Sequence, residues 1–504
     1  MHSEYHIQAP GARLGAGVLT VPKGGVILAR TGGRSGAAPR GKENKEPNKG
    51  ESCAMSSEAK NLTEGPLARQ IFIFSVPLVL SNLLQALFNM SDIAVVGRFA
   101  GSQALGSVGS TTIFVTLITG FLIGLGGGVN VLVARFYGAG QPKEVEKSVH
   151  SSLVVCLAAG VLMLLIGLIF SPALLRLLGT KPDLIDGAIL YLRIYFLGMP
   201  ALALYNFGNG VFSAVGNTRK PLVYLSIAGA LNIVLNLFFV IVCNLSVAGV
   251  ALASILTQYL SAGLILRALV RAQGCYGLRR EKLRPDPAMT RSILGLGVPA
   301  GCQNAIFALA NLFIQASINT FDTVVVSGNS AAANADPLVY DVMAAFYTAC
   351  SSFMSQNYGA GKRKRVKRSY FISLGYSFGI GAVLGISLVI FGRTFLALFT
   401  TEQAVVDAGM QRLVIMGLCY PVSAFMDCTI GASRGLGRTI VPTFIVIMGS
   451  CVFRVLWVYT VFAWFRTLPS LYLLFICSWT LTAIAEIIYF ARAYKEQMKI
   501  YDPA

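Results

Sequence analysis

Charge is what this sequence has least of: Asp, Glu, Lys and Arg together make up 12% of its 504 residues, about half the share of an ordinary soluble domain. That shortage excludes a water-facing surface around most of the chain and points to a membrane protein. Histidine is nearly absent. His2, His6 and His150 are the three present, and none joins the ten cysteines in a metal-ligand spacing, so neither a structural metal nor a cofactor is expected. The cysteines form no paired framework; eight of the ten lie in or beside apolar runs, where a free thiol packs as a small hydrophobe. No glycine-rich segment leads into the Lys-Ser/Thr of a phosphate loop, so transport by this chain would be driven by an ion gradient rather than by a nucleotide. No nucleophile is patterned with a base, which argues against an enzyme.

What is present is apolar sequence in blocks. Hydrophobic residues make up 55% of the chain. From about residue 70 to 490 they form runs of about twenty, the helix length that spans a hydrocarbon core of about 30 Å. Continuous runs such as LVYLSIAGALNIVLNLFFVIV lack the alternation of a membrane β-barrel. The expected fold is therefore all-α and polytopic. Twelve spans are read near 70–95, 105–134, 151–170, 187–214, 222–242, 247–268, 292–320, 337–356, 370–392, 408–430, 441–463 and 469–490. Pro77, Pro200, Pro299 and Pro421 fall inside them as packing kinks or as hinges.

Residues 1–54 are rich in Gly, Lys and Arg and cannot bury enough surface to repay ordering. They read as a disordered extension, with Met55 as an alternative start. With the amino terminus inside, the cytoplasmic connections carry twenty-five Lys and Arg, against Arg98, Arg176, Lys181, Arg393 and Arg466 outside. Both termini are thus expected on the cytoplasmic side of a cell membrane. The sequon at Asn61 is discounted for the same reason. This bias also accounts for the formal charge of +19; the GKRKRVKR run serves topology and anionic lipid contact rather than nucleic acid.

The chain also repeats itself. FYGAGQPKEVEKSV at 136–149 and NYGAGKRKRVKRSY at 357–370 sit 221 positions apart. At that offset Pro200 meets Pro421, Gly210 meets Gly431 and Gly216 meets Gly437; at 222, Pro77 meets Pro299, Asn82 meets Asn304 and Asn89 meets Asn311. Two pseudo-symmetric six-helix lobes follow, 69–270 and 291–492. Their topology is that of a parallel repeat, because six spans return the chain to its starting side. A segment 1–68 precedes them, a basic linker 271–290 joins them, and a tail 493–504 ends the chain. Gly120, Gly124 and Gly128 line one helix face for close packing. Gly138, Gly140, Gly359 and Gly361 are expected to end helices through positive φ.

Polar residues inside the spans mark the candidate site. Asn82, Gln85, Asn89 and Asp92 are spaced three, four and three apart, one polar stripe on an apolar helix that should line a wet cleft. A carboxylate there can exchange a proton or coordinate Na⁺. Asn232 and Asn236, one turn apart, are its complement or a helix–helix contact. Asp341, Asp427 and Glu486 are secondary candidates; Arg193, Arg412 and Arg454 are the available partners for Asp427.

These residues resemble the multidrug and toxic compound extrusion family in its bacterial branch, which implies an inner-membrane location. The resemblance covers about residues 63–495 and rests on VPLVLSNLLQALFNMSDIAVVGR, NGVFSAVGNTRKP, GALNIVLNLFFVIV, QNYGAGKRKRVKRS and RGLGRTIVP. It implies two lobes in a V that export organic cations or drugs in exchange for H⁺ or Na⁺, acting on small-molecule substrates and among membrane lipids. It also implies an ion site centred on Asp92 with Tyr191, Asn206, Asn232, Asn236 and Ser254 around it. Where Asn236 stands, members of the family often carry aspartate, and the seventh span lacks a second-lobe glutamate found in some of them. Function as a monomer is expected. The competing readings are a lipid or lipid-linked saccharide flippase and, from another class, an ion channel or receptor.

Overall fold

The computed structural model describes residues 60–499, all within one compact unit. Fourteen principal helices account for most of it: α1 Leu67–Val95, α2 Gly101–Gly138, α3 Pro142–Leu177, α4 Pro182–Leu197, α5 Met199–Ala214, α6 Arg219–Leu237, α7 Ser246–Arg271, α8 Pro287–Ile318, α9 Thr323–Ala333, α10 Ala335–Gly359, α11 Arg363–Leu396, α12 Gln403–Gly435, α13 Ile440–Phe465 and α14 Leu468–Met498. Among the described residues nine helical stretches are long and apolar enough to cross a membrane, or ten if the α4–α5 pair counts as one crossing. One of the nine, 72 residues long, contains both α1 and α2, joined by a π-helical turn at Val96–Ala100; α2 begins at Gly101, whose φ of +87° breaks the helical path and suits glycine. Large apolar side chains such as Ile169, Ile390 and Phe391 are about two-thirds exposed, as a lipid-facing surface requires.

The helices depart from the expected spans at two places. Span 187–214 is broken: α4 and α5 meet at 45°. Pro200 sits in the first turn of α5, where its missing N–H leaves no hydrogen bond unmade. Pro77, Pro299 and Pro421 lie within α1, α8 and α12. The other departure is the stretch before 337, where SGNSAAANADP reads as a connection but folds as α9 running into α10. Asn334 bridges the two, its amide donating to the Ser330 carbonyl at 3.0 Å, and Pro337 falls in the first turn of α10, where it is tolerated.

Contacts between the first and second halves of the chain join positions that the repeat makes equivalent. Asn130 in α2 donates from Nδ2 to Ser352 Oγ in α10 at 2.8 Å, and Ser352 Oγ donates back to Asn130 Oδ1 at 3.2 Å; the two residues are 222 positions apart. Asn82 Nδ2 donates to the Asp341 carbonyl at 2.8 Å, and Asn304 Nδ2 to the Gly120 carbonyl at 3.0 Å, so donors and acceptors both exchange with the repeat. The two YGAG segments face one another. A β-carbon on Gly138 would strike the Gln356 carbonyl, and one on Gly359 the Arg135 carbonyl. Positive φ belongs to the later glycines, Gly140 at +65° and Gly361 at +68°, so only half of the expected set terminates helices. The Gly124 and Gly128 face admits the backbone of α8 at Gly301 and Gly297, the close approach that their spacing predicts.

Residues 60–66, assigned from sequence to the extension 1–68, are held between both halves; residues 1–59 lie outside the described residues. Lys60 N–H donates to the Val215 carbonyl at 3.0 Å and Leu62 N–H to Gln356 Oε1 at 3.1 Å. Gln356 Nε2 in turn donates to the Ala214 carbonyl at 2.5 Å. Arg365 donates to the carbonyls of Leu62, Glu64 and Gly65, and Lys362 to that of Thr63. Part of the basic GKRKRVKR run thus closes this end of the molecule over the start of α1. The Asn61 side chain accepts from Thr63 N–H at 2.9 Å, a local turn.

Candidate functional site

The carboxylate of Asp92 is the centre of a polar cluster between α1, α6 and α7. Asn236 Nδ2 donates to Asp92 Oδ1 at 2.5 Å and to Asn232 Oδ1 at 3.1 Å, while Ser254 Oγ donates to Asp92 Oδ2 at 3.1 Å. Asn232, Asn236 and Ser254 are buried, Asn236 completely. The i, i+4 spacing in α6 stacks the two asparagines on one face, and the face meets Asp92 because α6 packs on α1. Tyr191 and Tyr195 of α4 stack at 5.8 Å between centroids and lie within electrostatic reach of the carboxylate.

Both oxygens of Asp92 therefore accept a hydrogen bond, one from Asn236 and one from Ser254, and Asn232 Oδ1 accepts from the same Asn236 amide. Asn236 Oδ1 is buried without a hydrogen-bond partner, a costly state that a cation or a donor would relieve. The site carries a single acid and no basic partner within 4 Å among the described residues. Such a site can take up one positive charge, as a proton on Asp92 or as a small cation ligated by these oxygens.

The remaining predicted residues separate. Asn206 spends its amide on the Leu202 carbonyl of its own helix at 2.9 Å, so it does not hydrogen-bond Asp92. Asn82 is engaged with α10, whereas Gln85 and Asn89 are exposed on α1. Glu486 is fully buried in α14, with neither carboxylate oxygen hydrogen-bonded. Asp341 and Asp427 line a second space, a cavity of about 590 Å³ enclosed by helices of the second half, from α8 to α14.

This cavity contains what sequence reasoning missed. Asp336 pairs with Arg412 and accepts from Tyr420 Oη at 2.5 Å; Arg412 Nη1 also donates to Asn329 Oδ1 at 2.6 Å. Asp336 escaped notice because it lies one residue before the expected span at 337–356. Arg412 is therefore not the partner of Asp427, and Arg193 is exposed on α4. Arg434, counted from sequence as a loop charge, is 8% exposed, donates to Gln303 Oε1 at 3.0 Å, and lines the same cavity. Arg454 is within electrostatic reach of Asp427 without forming an ion pair. Among the described residues no group of three or more His, Cys, Asp or Glu could hold a metal.

Comparison with known proteins matches the MatE family to residues 77–238 and again to 299–460. The starts of the two matched segments are 222 positions apart, the offset that relates the sequence repeat. The chain is 29% identical over 371 residues to the probable multidrug resistance protein YpnP of Bacillus subtilis, covering 72% of this chain and 81% of the relative. YoeA of the same organism, a probable multidrug resistance protein, is 27% identical over 386 residues, covering 75% and 83%. A solved structure described as the outward-facing conformation of a multidrug resistance MATE family transporter superposes with a TM-score of 0.82 at 21% identity, over 88% of this chain and 99% of the other.

Proposed function

Because this chain belongs to the MatE family, whose matches cover more than half of it, we propose that it is a secondary antiporter exporting organic cations or drugs in exchange for H⁺ or Na⁺ bound at Asp92. Family membership itself supports a multidrug efflux transporter and not an enzyme. The observation that carries the coupling is the isolated carboxylate of Asp92 among buried oxygens of α6 and α7. Uptake of one ion neutralises it, removes the need for a donor at each oxygen, and loosens the tie between α1 and α6–α7. Release on the other side restores that tie. Differential ion affinity between two arrangements of α1 is what lets a gradient do work on the substrate.

The architecture of this reading is twelve spans in two parallel six-helix lobes, 69–270 and 291–492, around the linker 271–290. Dividing the 72-residue stretch at Gly101, joining α4 to α5, and counting 323–359 as one span supplies the twelve. The reciprocal contacts of Asn130 with Ser352 and of Asn82 and Asn304 support a pseudo-twofold axis along the membrane normal. Both termini face the cytoplasm, and the chain acts as a monomer. Protein in liposomes, with pH and sodium gradients imposed separately and a fluorescent organic cation as substrate, tests the coupling. Asp92→Asn should abolish gradient-driven counterflow while leaving insertion and folding intact; undiminished coupled transport in that variant would sink the proposal.

A further inference from the structure

The cavity of the second half contains charges that coupling at Asp92 leaves unused. It is built by the repeat counterparts of the helices that hold Asp92: α8, α13 and α14 correspond to α1, α6 and α7. The polarity is different. Arg454 stands 222 positions after Asn232, and Ile314 stands 222 after Asp92, so the carboxylate has an apolar residue as its counterpart and the asparagine helix supplies a guanidinium. Arg454 is 3% exposed. Its Nε donates to Ser478 Oγ at 3.1 Å and its Nη1 reaches Asn311 Oδ1 at 3.5 Å, while Phe475 and Phe307 flank it at 4.8 and 5.5 Å. These contacts fix the guanidinium and shield it from water, yet leave Nη2 without a hydrogen bond among the described residues. Among the described residues no carboxylate lies within 4 Å of it or of Arg434, whose buried Nε is also unpartnered. Asp341 and Asp427 line the same cavity: Asp427 lies within electrostatic reach of both Arg434 and Arg454 without an ion pair, and Asp341 has no ion-pair partner among the described residues.

We propose that this cavity is a second ligand subsite, selective for organic molecules that carry an acidic group, with Arg454 as its anion-binding residue and Arg434 beside it. A carboxylate entering the cavity takes the open edge of Arg454 in a charge-assisted hydrogen bond, strengthened by the burial of the guanidinium between Phe307 and Phe475. Asp341, which has no basic neighbour of this kind, favours a ligand whose other end is cationic, so an amphoteric aromatic molecule satisfies both. A purely cationic ligand brings no hydrogen-bonded anion to either guanidinium. The inference rests on the transporter reading for access to the cavity, but it concerns recognition and not coupling.

Equilibrium binding to the purified full chain, with no gradient, separates the two. The probes are rhodamine B, whose free carboxylate makes it a zwitterion at neutral pH, and its ethyl ester, a cation of the same shape. Fluorescence polarisation should show the acid bound at least about tenfold more tightly than the ester, the effect of one charge-assisted hydrogen bond. Arg454→Gln should erase that preference by weakening the acid alone, and Arg454→Lys should retain part of it. Should Arg454→Gln fail to fold, Arg434→Gln and the wild-type preference still decide the matter. Ester bound as tightly as acid by the wild type, or equal weakening of both dyes in the variant, overturns the proposal. Displacement of the acid by phosphatidylglycerol as readily as by excess rhodamine B overturns it in favour of a lipid headgroup.

Discussion

At the scale of single residues, the chemistry depends on which polar groups are paired. Asp92 has two donors, one from Asn236 and one from Ser254. Replacing Asn236 with Leu removes the shorter bond and leaves the carboxylate desolvated; a hydrogen bond to a charged group contributes about 1.5–3 kcal/mol. Initial rates of coupled efflux should fall by about tenfold or more, with Ser254→Ala giving a smaller loss. The Asp336–Arg412 pair makes a different prediction. Arg412 is almost wholly buried, so Arg412→Gln strands Asp336 and should cost about 3 kcal/mol. A lowered unfolding temperature in detergent would register it, and Asp336→Asn combined with Arg412→Gln should recover part of the loss. The asparagine pair beside Asp92 was legible because helical spacing alone places Asn232 and Asn236 on one face; the spacing that joins Asn82, Gln85 and Asn89 to Asp92 did not foretell that they would separate. Asp336 and Arg434 were not, because each sits at a helix end whose position depends on neighbouring helices.

At the scale of elements, close packing and capping explain residues that look functional in isolation. His150 accepts from Arg279 N–H at 3.0 Å through Nε2, and its Nδ1 faces the Glu146 carbonyl at 2.7 Å. Lys282 pairs with Glu146 at 2.7 Å, and Asp286, bonded through its N–H to Ser151 Oγ, caps α8 by accepting from Met289 N–H. The linker is thereby pinned to α3. His150→Leu should release it, and limited trypsin digestion followed by mass spectrometry should show faster cleavage after Arg279 and Arg280. The YGAG segments illustrate the same point. Their glycines were expected to serve turns, and Gly140 and Gly361 do, but Gly138 and Gly359 are glycine because another backbone lies against them. That demand comes from a helix more than two hundred residues away, which local sequence cannot reveal.

At the scale of the whole molecule, the described residues are closed at the end where the YGAG segments and residues 60–66 meet. The proposed antiport requires that end to open in part of the cycle. Asn130→Cys with Ser352→Cys, in a background whose native cysteines are replaced, should cross-link under mild oxidation and stop transport, and reductant should restore it. Adding Gly359→Val should lower the cross-linked fraction, since the side chain has no room beside Arg135. Transport that persists in the fully cross-linked protein would mean that this contact stays closed throughout the cycle. By itself the sequence determined that the chain is helical, membrane-embedded and duplicated, and that Asp92 heads a polar face. Hydrophobic run length and local spacing carry that information, and both are properties of short segments. Only the tertiary structure decided that Asn206 bonds within its own helix rather than to Asp92, that Arg412 belongs to Asp336, and that Arg454 and Arg434 share a cavity with Asp341 and Asp427. Those pairings join helices distant in the chain, and a buried charge takes its partner from whichever helix packs beside it.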